Sequence, residues 1–529
     1  MLCLHPRCAA VEKSQGSRAG RGSLMENKIM KANQVLLLTL LALAAIVAIL
    51  NSGCAVGPNY HRPETSTPAH WSEPLAGGET NSTAAVVMWW KTFNDPELDS
   101  LVDRAVQSNL DLRIAEARVR EARTQYRIAS ADLWPTASAS GSYARAGTSH
   151  HQPVLGSLPR PANVPFENDV YQAGFDASWE LDVFGGKRRA VEAAKADVAA
   201  IEFGQRATVM TLLGDVARNY ADLRGYQRRL AIANENITAQ EAALAITRNR
   251  FTNGVTSDLD VQQASTLLAS TLAEVPTLES AIQASIHRLS VLLGQPPGAL
   301  QTELSSSIPI PAAPPEVPVG LPSDLMLRRP DVQAAERQLA AATANIGVAT
   351  ADLFPKFSLT GVAGFQSVSA SDWFTSGSKF WSVGPSIQWK IFDAGRIRAS
   401  IKVQNARQEQ ALANYEQTVL AAFEDVENAL VFYAKEQVRQ RSLGDAVKSS
   451  QNSLVLAQKL YANGLTDFLN VLEAERSLYQ AQDQLVQSER TVSVDLIALY
   501  KSLGGGWQVA APQTALISAN SSMRWNQRH

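Results

Sequence analysis

The chain has 529 residues, 45% of them hydrophobic and 19% charged, so it is not a disordered polypeptide. Its 48 basic and 50 acidic side chains leave a net charge of −2, without the basic excess of a nucleic-acid binder. Three cysteines exclude a disulfide-stapled scaffold and a cysteine-rich metal protein.

Lys28 and Lys31 precede an uncharged apolar run from Val35 to Leu50. That run is shorter than the roughly 20 residues of a membrane-spanning helix. A basic start, an apolar middle and small residues after it make a secretory signal peptide. Ser52-Gly53-Cys54 closes the run like a bacterial lipobox, with Asn51 where leucine is usual. Residues 1–53 are therefore expected to be a leader, and Cys54 the lipidated N-terminus of the mature chain. Met25 or Met30 makes a more ordinary start than Met1. An extended segment is expected over 54–94.

Beyond it the chain is duplicated. Ala131-Asp-Leu-Trp-Pro135 recurs as Ala351-Asp-Leu-Phe-Pro355, 220 positions later, and the same offset pairs Asp111 with Asp331 and Glu116 with Glu336. Phe251-Thr-Asn-Gly-Val-Thr256 recurs as Tyr461-Ala-Asn-Gly-Leu-Thr466 at an offset of 210, which also pairs Leu293-Gly294 with Leu503-Gly504. One loop between these blocks is thus shorter in the second copy. The copies span 95–295 and 323–504, joined by a Pro-rich linker at 296–322 and followed by a tail at 505–529.

Each copy opens with an amphipathic helix, Pro96 to Leu133 with a break near Asn109, and Asp331 to Phe354. Both end at a proline. A β-hairpin follows, over 136–184 and 356–392. Tyr171, Ala173, Phe175, Ala177, Trp179, Leu181 and Val183 alternate with polar or small residues. So do Trp381, Val383, Pro385, Ile387, Trp389 and Ile391. These runs are long enough to cross a bilayer, which takes about 9–11 residues, and carry aromatics near both ends. Thr136 to Arg145 and Lys356 to Gln366 are the partner strands. A soluble sandwich with one wet face would need more than these four strands.

Helical hairpins close the copies, over 187–294 and 396–503. Gly185-Gly186 and Gly395 permit the sharp change from strand to helix. Lys187 to Thr252 contains no proline, so one helix of roughly 100 Å is predicted. Val209, Leu213, Val216, Tyr220 and Leu223 make a coiled-coil seam, repeated at Val419, Phe423, Val426, Leu430 and Tyr433. Asn253-Gly254 and Asn463-Gly464 reverse the chain, and Pro276 is expected to kink the first return helix. Lys187, Arg188 and Arg189 stand at a helix start, where positive charge is unfavourable. They are expected as a solvated basic face, the alternative being acidic partners or lipid phosphates.

No catalytic constellation, metal site or phosphate loop is found. His150-His151 are adjacent in a polar loop and lack the i, i+4 spacing of a helical metal site. No cofactor is expected apart from a covalent lipid, such as palmitate, on Cys54.

Four membrane strands cannot close a barrel alone, because unpaired backbone groups in lipid cost several kcal/mol each. The predicted fold class is an α+β membrane protein built from a duplicated strand-strand-long-helix unit. Its four transmembrane β-strands per chain close as a twelve-stranded barrel in a homotrimer, continued by a long α-helical barrel. Such an assembly is a conduit.

Taken together, these motifs resemble the TolC-type outer-membrane efflux proteins, in their NodT/OprM-like lipoprotein branch. Cys54-Ala-Val-Gly-Pro-Asn-Tyr60 with Pro63, Trp89-Trp90 with Phe93 and Asp95-Pro96, and the repeated Asp-Leu-(Trp/Phe)-Pro and Asn-Gly-(Val/Leu)-Thr blocks carry the resemblance. It implies the outer channel of a tripartite efflux pump, lipid-anchored in the outer membrane and extending into the periplasm. The implied partners are a periplasmic adaptor (membrane fusion protein), an inner-membrane RND-type transporter and outer-membrane lipid. It also implies a belt formed by the N-terminal and inter-repeat segments. Small toxic molecules would leave passively. A duct for type I polypeptide secretion and a coiled-coil surface lipoprotein without a pore are the alternatives. Carried over by position, the periplasmic aperture falls on Asp260, Asn470 and Glu473, with Asp258 and Asp467 nearby; Asn470 departs from the acidic residue often found there. The adaptor-docking tips fall on Gly254, Val255, Gly464 and Leu465. The αα-hairpin's own requirement for glycine also accounts for the tips, and helix-dipole stabilisation for the acids.

Overall fold

The computed structural model describes residues 55–64, 68–72, 79–80, 87–147, 167–314 and 317–510. The leader, Cys54 and His150-His151 lie outside them. Two compact units share the chain: one takes segments up to Asn59, Ile128–Glu192 and Ala344–Gln404, the other Tyr60–Arg127, Ala193–Thr343 and Asn405 onward.

In the first unit, β2 (Thr136–Gly147), β3 (Glu167–Leu181), β5 (Lys356–Ser367) and β6 (Lys379–Gln388) form one antiparallel sheet in that order. The second-copy strand is shorter than its alternation suggests. It ends at Gln388, and the Trp389 indole instead donates to the Leu353 carbonyl at 3.0 Å. In the first copy Trp179 donates likewise to Leu133 at 2.9 Å. The repeated Asp-Leu-(Trp/Phe)-Pro block thus supplies a carbonyl that receives the tryptophan near the strand's end. The register puts Phe175, Ala363 and Trp381 in one row, Ala177, Gly361 and Val383 in the next, and Leu181, Phe357 and Ile387 in a third. Both apolar alternations therefore share a face.

In the second unit, α1 (Pro96–Ser108) starts from Asp95, whose side chain accepts from the Glu97 and Leu98 amides at 3.0 and 3.2 Å. Pro96 occupies the first helical position, where a missing N–H costs nothing. Asn109 separates α1 from α2 (Leu110–Ala131) and serves both. Its backbone caps α1, and its Oδ1 accepts from the Leu112 amide at 3.0 Å. The second copy starts at α5 (Pro330–Ala351). The duplicated acids differ in environment. Glu116 is exposed, whereas Glu336 is buried and accepts from Tyr60 at 2.9 Å and from Arg337.

The helical hairpins are α3 (Gly186–Thr252) with α4 (Asp258–Leu292), and α6 (Arg396–Ala462) with α7 (Phe468–Ser502). The long helices each have 67 residues and the return helices 35. Pro276 stands inside α4 without ending it. The first predicted seam is covered, with Leu213, Val216, Tyr220 and Leu223 buried; in the second Val419, Val426, Leu430 and Tyr433 are buried and Phe423 is half-buried. The same core holds Trp89, Trp90 and Phe93, with Trp89 stacked on Tyr500 at 5.5 Å. These aromatics of the Trp-Trp block are structural. The Pro-rich linker is fastened through its carbonyls: Gln227 donates to Leu304 and Ser493 to Pro311, both at 2.7 Å. Its Val317–Pro318 (β4) pairs in parallel with Glu79–Thr80 (β1), a contact too short for sequence patterning to show.

Candidate functional site

The hairpin tips are built by one local rule. At the end of α3, Gly254 takes φ +71°, its amide donates to Phe251 at 2.9 Å and that of Val255 to Arg250 at 2.8 Å. At the end of α6, Gly464 takes φ +70°, donating to Tyr461 at 3.0 Å, and Leu465 donates to Leu460 at 2.9 Å. This is the Schellman C-cap, which demands a left-handed residue and so selects glycine. Gly254 and Gly464 are explained by the turn alone. Val255 and Leu465 are not: they are 62% and 73% exposed, beside exposed Leu259 and Leu469. Each tip thus offers apolar side chains to water. Gly254→Ala should lower hairpin stability by about 1–2 kcal/mol, the cost of a left-handed Cβ. Chemical denaturation would read it.

Of the predicted aperture residues, Asp260 and Asn470 stand just past these turns, in the first turns of the return helices, and Glu473 lies one turn further along α7. Asp260 belongs to a capping box: its carboxylate accepts from the Ser257 amide at 3.3 Å and from the Thr256 hydroxyl. The duplicated position reverses the bond. Asn470 donates its amide to the Thr466 hydroxyl at 2.7 Å. The second tip keeps the geometry and loses the charge. Glu473, 56% exposed, pairs with Arg476 at 3.3 Å, an exposed contact of little energetic value. Asp258 and Asp467 are also exposed. Each chain therefore carries several acids in the turns that follow its two tips.

Sequence reasoning missed Glu475. It lies on α7 with 7% exposure, next to the apolar cluster of Val261, Phe468, Val471 and Leu472. Its buried Oε2 has no hydrogen-bond partner among the described residues. Burial pushes its carboxyl up to about 7. An acid in a helical register reads as a solvated residue, so no sequence signal marked it.

The basic start of α3 departs from expectation. Lys187, Arg188 and Arg189 are not a solvated face. Lys187 donates to the Asp132 carbonyl at 2.8 Å, and Arg188 pairs with Asp182 at 3.1 Å. Arg189 is 4% exposed and donates to the Val56 and Gly57 carbonyls and to Asn59. Asp182 also accepts from the Lys187 and Arg188 amides, at 3.0 and 2.9 Å, offsetting the positive helix terminus. Asp393 does the same at the start of α6, accepting from the Gly395 and Ile397 amides. An aspartate just before each glycine turn was the available signal.

On the sheet, the shared apolar face leaves Phe175 71% and Trp381 77% exposed, with Val383 and Ile387 similarly open. The other face is more polar, and there Ser138 donates to Asp176 at 2.7 Å, although Val362 and Phe380 also lie on it. β2 and β6 are the edge strands.

A profile of the family described as "Outer membrane efflux protein" matches residues 101–295 and again 321–505. Nodulation protein T of Rhizobium leguminosarum bv. trifolii is 34% identical over 469 residues, covering 88% of this chain and 97% of that protein. The solvent efflux pump outer membrane protein SrpC of Pseudomonas putida is 34% identical over 479 residues, covering 89% and 99%. Among solved structures, the outer-membrane channel OprN superposes with a TM-score of 0.79 at 38% identity, covering 86% of this chain and all of that one.

Proposed function

We infer the function from one premise: this chain belongs to the outer membrane efflux protein family. It is an outer-membrane channel of an efflux system, giving passive exit to small molecules across the outer membrane. The observation that carries the reading is the sheet, which among the described residues has four strands, one apolar face and two open edges. Lipid accepts such a face but not such edges. Three copies supply twelve strands and leave none open.

The finer assignments are ours. An inner-membrane RND-type transporter delivers the cargo through a periplasmic adaptor, which grips the hairpin tips at Val255 and Leu465. Their exposure supports this docking, since apolar groups held in water favour a partner. Cys54 carries the lipid anchor. Asp260 and Glu473 line the periplasmic aperture, where triplicated carboxylates attract cations.

Removing the gene should sensitise cells to organic solvents, dyes and drugs, and the intact gene should restore resistance. Unchanged sensitivity to every class would sink the efflux reading. In planar bilayers, Asp260→Asn with Glu473→Gln should lower single-channel conductance for cations and weaken selectivity over anions. If both quantities match the wild-type channel, these residues lie away from the aperture.

A further inference from the structure

The residues that follow Cys54 are held with unusual closeness in the first unit. The Val56 amide donates to the Phe184 carbonyl at 3.0 Å, just beyond the end of β3. A Cβ placed on Gly185 would lie 2.6 Å from the Ala55 Cα. One on Gly57, at φ +90°, would lie 2.4 Å from the Cα of Gly347 on α5. One on Gly347 would strike the Val56 carbonyl oxygen at 2.9 Å and the Arg189 side chain at 2.8 Å. Backbones approach this closely only where a glycine stands at the contact, and at Gly57 and Gly347 both partners are glycine.

Arg189 closes the arrangement. Its Nε donates to the Val56 carbonyl at 3.2 Å, and its Nη2 donates to the Gly57 carbonyl at 3.3 Å and Asn59 Oδ1 at 2.7 Å. Nη1 donates to Glu192 at 2.8 Å. A guanidinium 4% exposed at a helix start is disfavoured by desolvation and by the helix dipole. Three of its four acceptors belong to residues 56–59. Apart from the ion pair with Glu192, its contacts go to that segment, so its main work is to hold it.

We propose that residues 55–59 form a docked strap, that Arg189, Gly185 and Gly347 are its receptor, and that the strap fixes the lipid attachment point at the base of the β-sheet. The lipid is the one read at Cys54, and the proposal rests on that reading. Residue 54 is one peptide unit from Ala55, about 3.8 Å between Cα atoms. Ala55 lies against Gly185, past the end of β3. There Phe184 stacks on Phe354 at 4.6 Å, and the apolar row of Leu181, Phe357 and Ile387 begins. Acyl chains on residue 54 would enter the membrane at the level where the apolar face starts. Anchor and sheet then share one depth.

The test uses the full mature protein with Pro58→Cys carrying a nitroxide; Pro58 is exposed, so the label does not disturb the contacts. The label should be immobile in the wild-type background. It should become several-fold faster in Arg189→Met, which removes the donors, and in Gly347→Val, which forces the strap outward. Both variants are measured as assembled, detergent-extracted protein with unchanged helical circular dichroism, so misfolding is read separately. A label equally immobile in both overturns the clamp. The number of nitroxides per chain tests the lipid: one label means Cys54 is blocked, as an acylated residue must be. A second label means a free Cys54 thiol and overturns the anchoring role, whatever the mobility at position 58.

Discussion

Replacing Glu475 by glutamine is expected to stabilise the protein at pH 8 by about 3 kcal/mol and to leave it nearly unchanged at pH 4. The wild-type carboxyl is raised from 4.5 to about 7 by burial alone. The folded chain therefore holds a proton that the unfolded chain releases between these values. Stability from this group is complete below pH 4.5 and is lost as pH rises to about 7. At roughly 1.4 kcal/mol per pH unit across this span the whole loss is a little over 3 kcal/mol, nearly all of it incurred by pH 8. Glutamine keeps the shape and cannot ionise. Asp495, which burial pushes up to about 6 with Glu436 adding to the rise, retains a smaller slope of the same sign. Urea midpoints at several pH values between 4 and 8 would measure this. Parallel curves for wild type and Glu475→Gln would contradict the burial of a neutral acid.

Trp89→Ala is expected to cost about 3–5 kcal/mol, the range for deleting a large buried aromatic. Trp89 is 2% exposed, stacked on Tyr500 and edge-on to Trp90 at 5.8 Å and Phe93 at 6.3 Å. It also lies against Gly506, where a Cβ would come within 3.0 Å of the indole nitrogen. One ring thus joins the segment before α1 to the end of α7. Trp89→Phe should recover part of the loss. A deficit below about 1 kcal/mol in denaturant unfolding of Trp89→Ala would mean that the cavity collapses and that the ring is not central.

Patterns that repeat within one element could be read directly. The period-2 runs in β3 and β6, the seam of α3 and the glycine turns after α3 and α6 each announce themselves over a few residues. Duplication then reinforced every one. What stayed hidden depends on segments far apart in the chain. Arg189 looked like a solvated cation because its acceptors lie more than 120 residues earlier, in a strap without periodicity. Glu475 looked like an ordinary polar position because its helix does not reveal which face a neighbour covers. Of the residues proposed for the aperture, Asp260 was carried over by its position after the turn, and the structure adds that it caps its helix. That Asn470 reproduces the same contact with donor and acceptor exchanged could not be seen from the residue types alone.

The matched lengths of the hairpins carry a consequence for how such a gene can change. Each long helix has 67 residues and each return helix 35. Deleting one residue from a single long helix would retract its tip by about 1.5 Å and rotate every later side chain by about 100°. The altered stave would no longer meet its neighbours in phase, while its twin stayed in place. An insertion or deletion in one copy therefore breaks the match of lengths, whereas substitutions leave it intact. Asp260 and Asn470 illustrate that freedom: length is held in common between the copies, and chemistry is where they diverge.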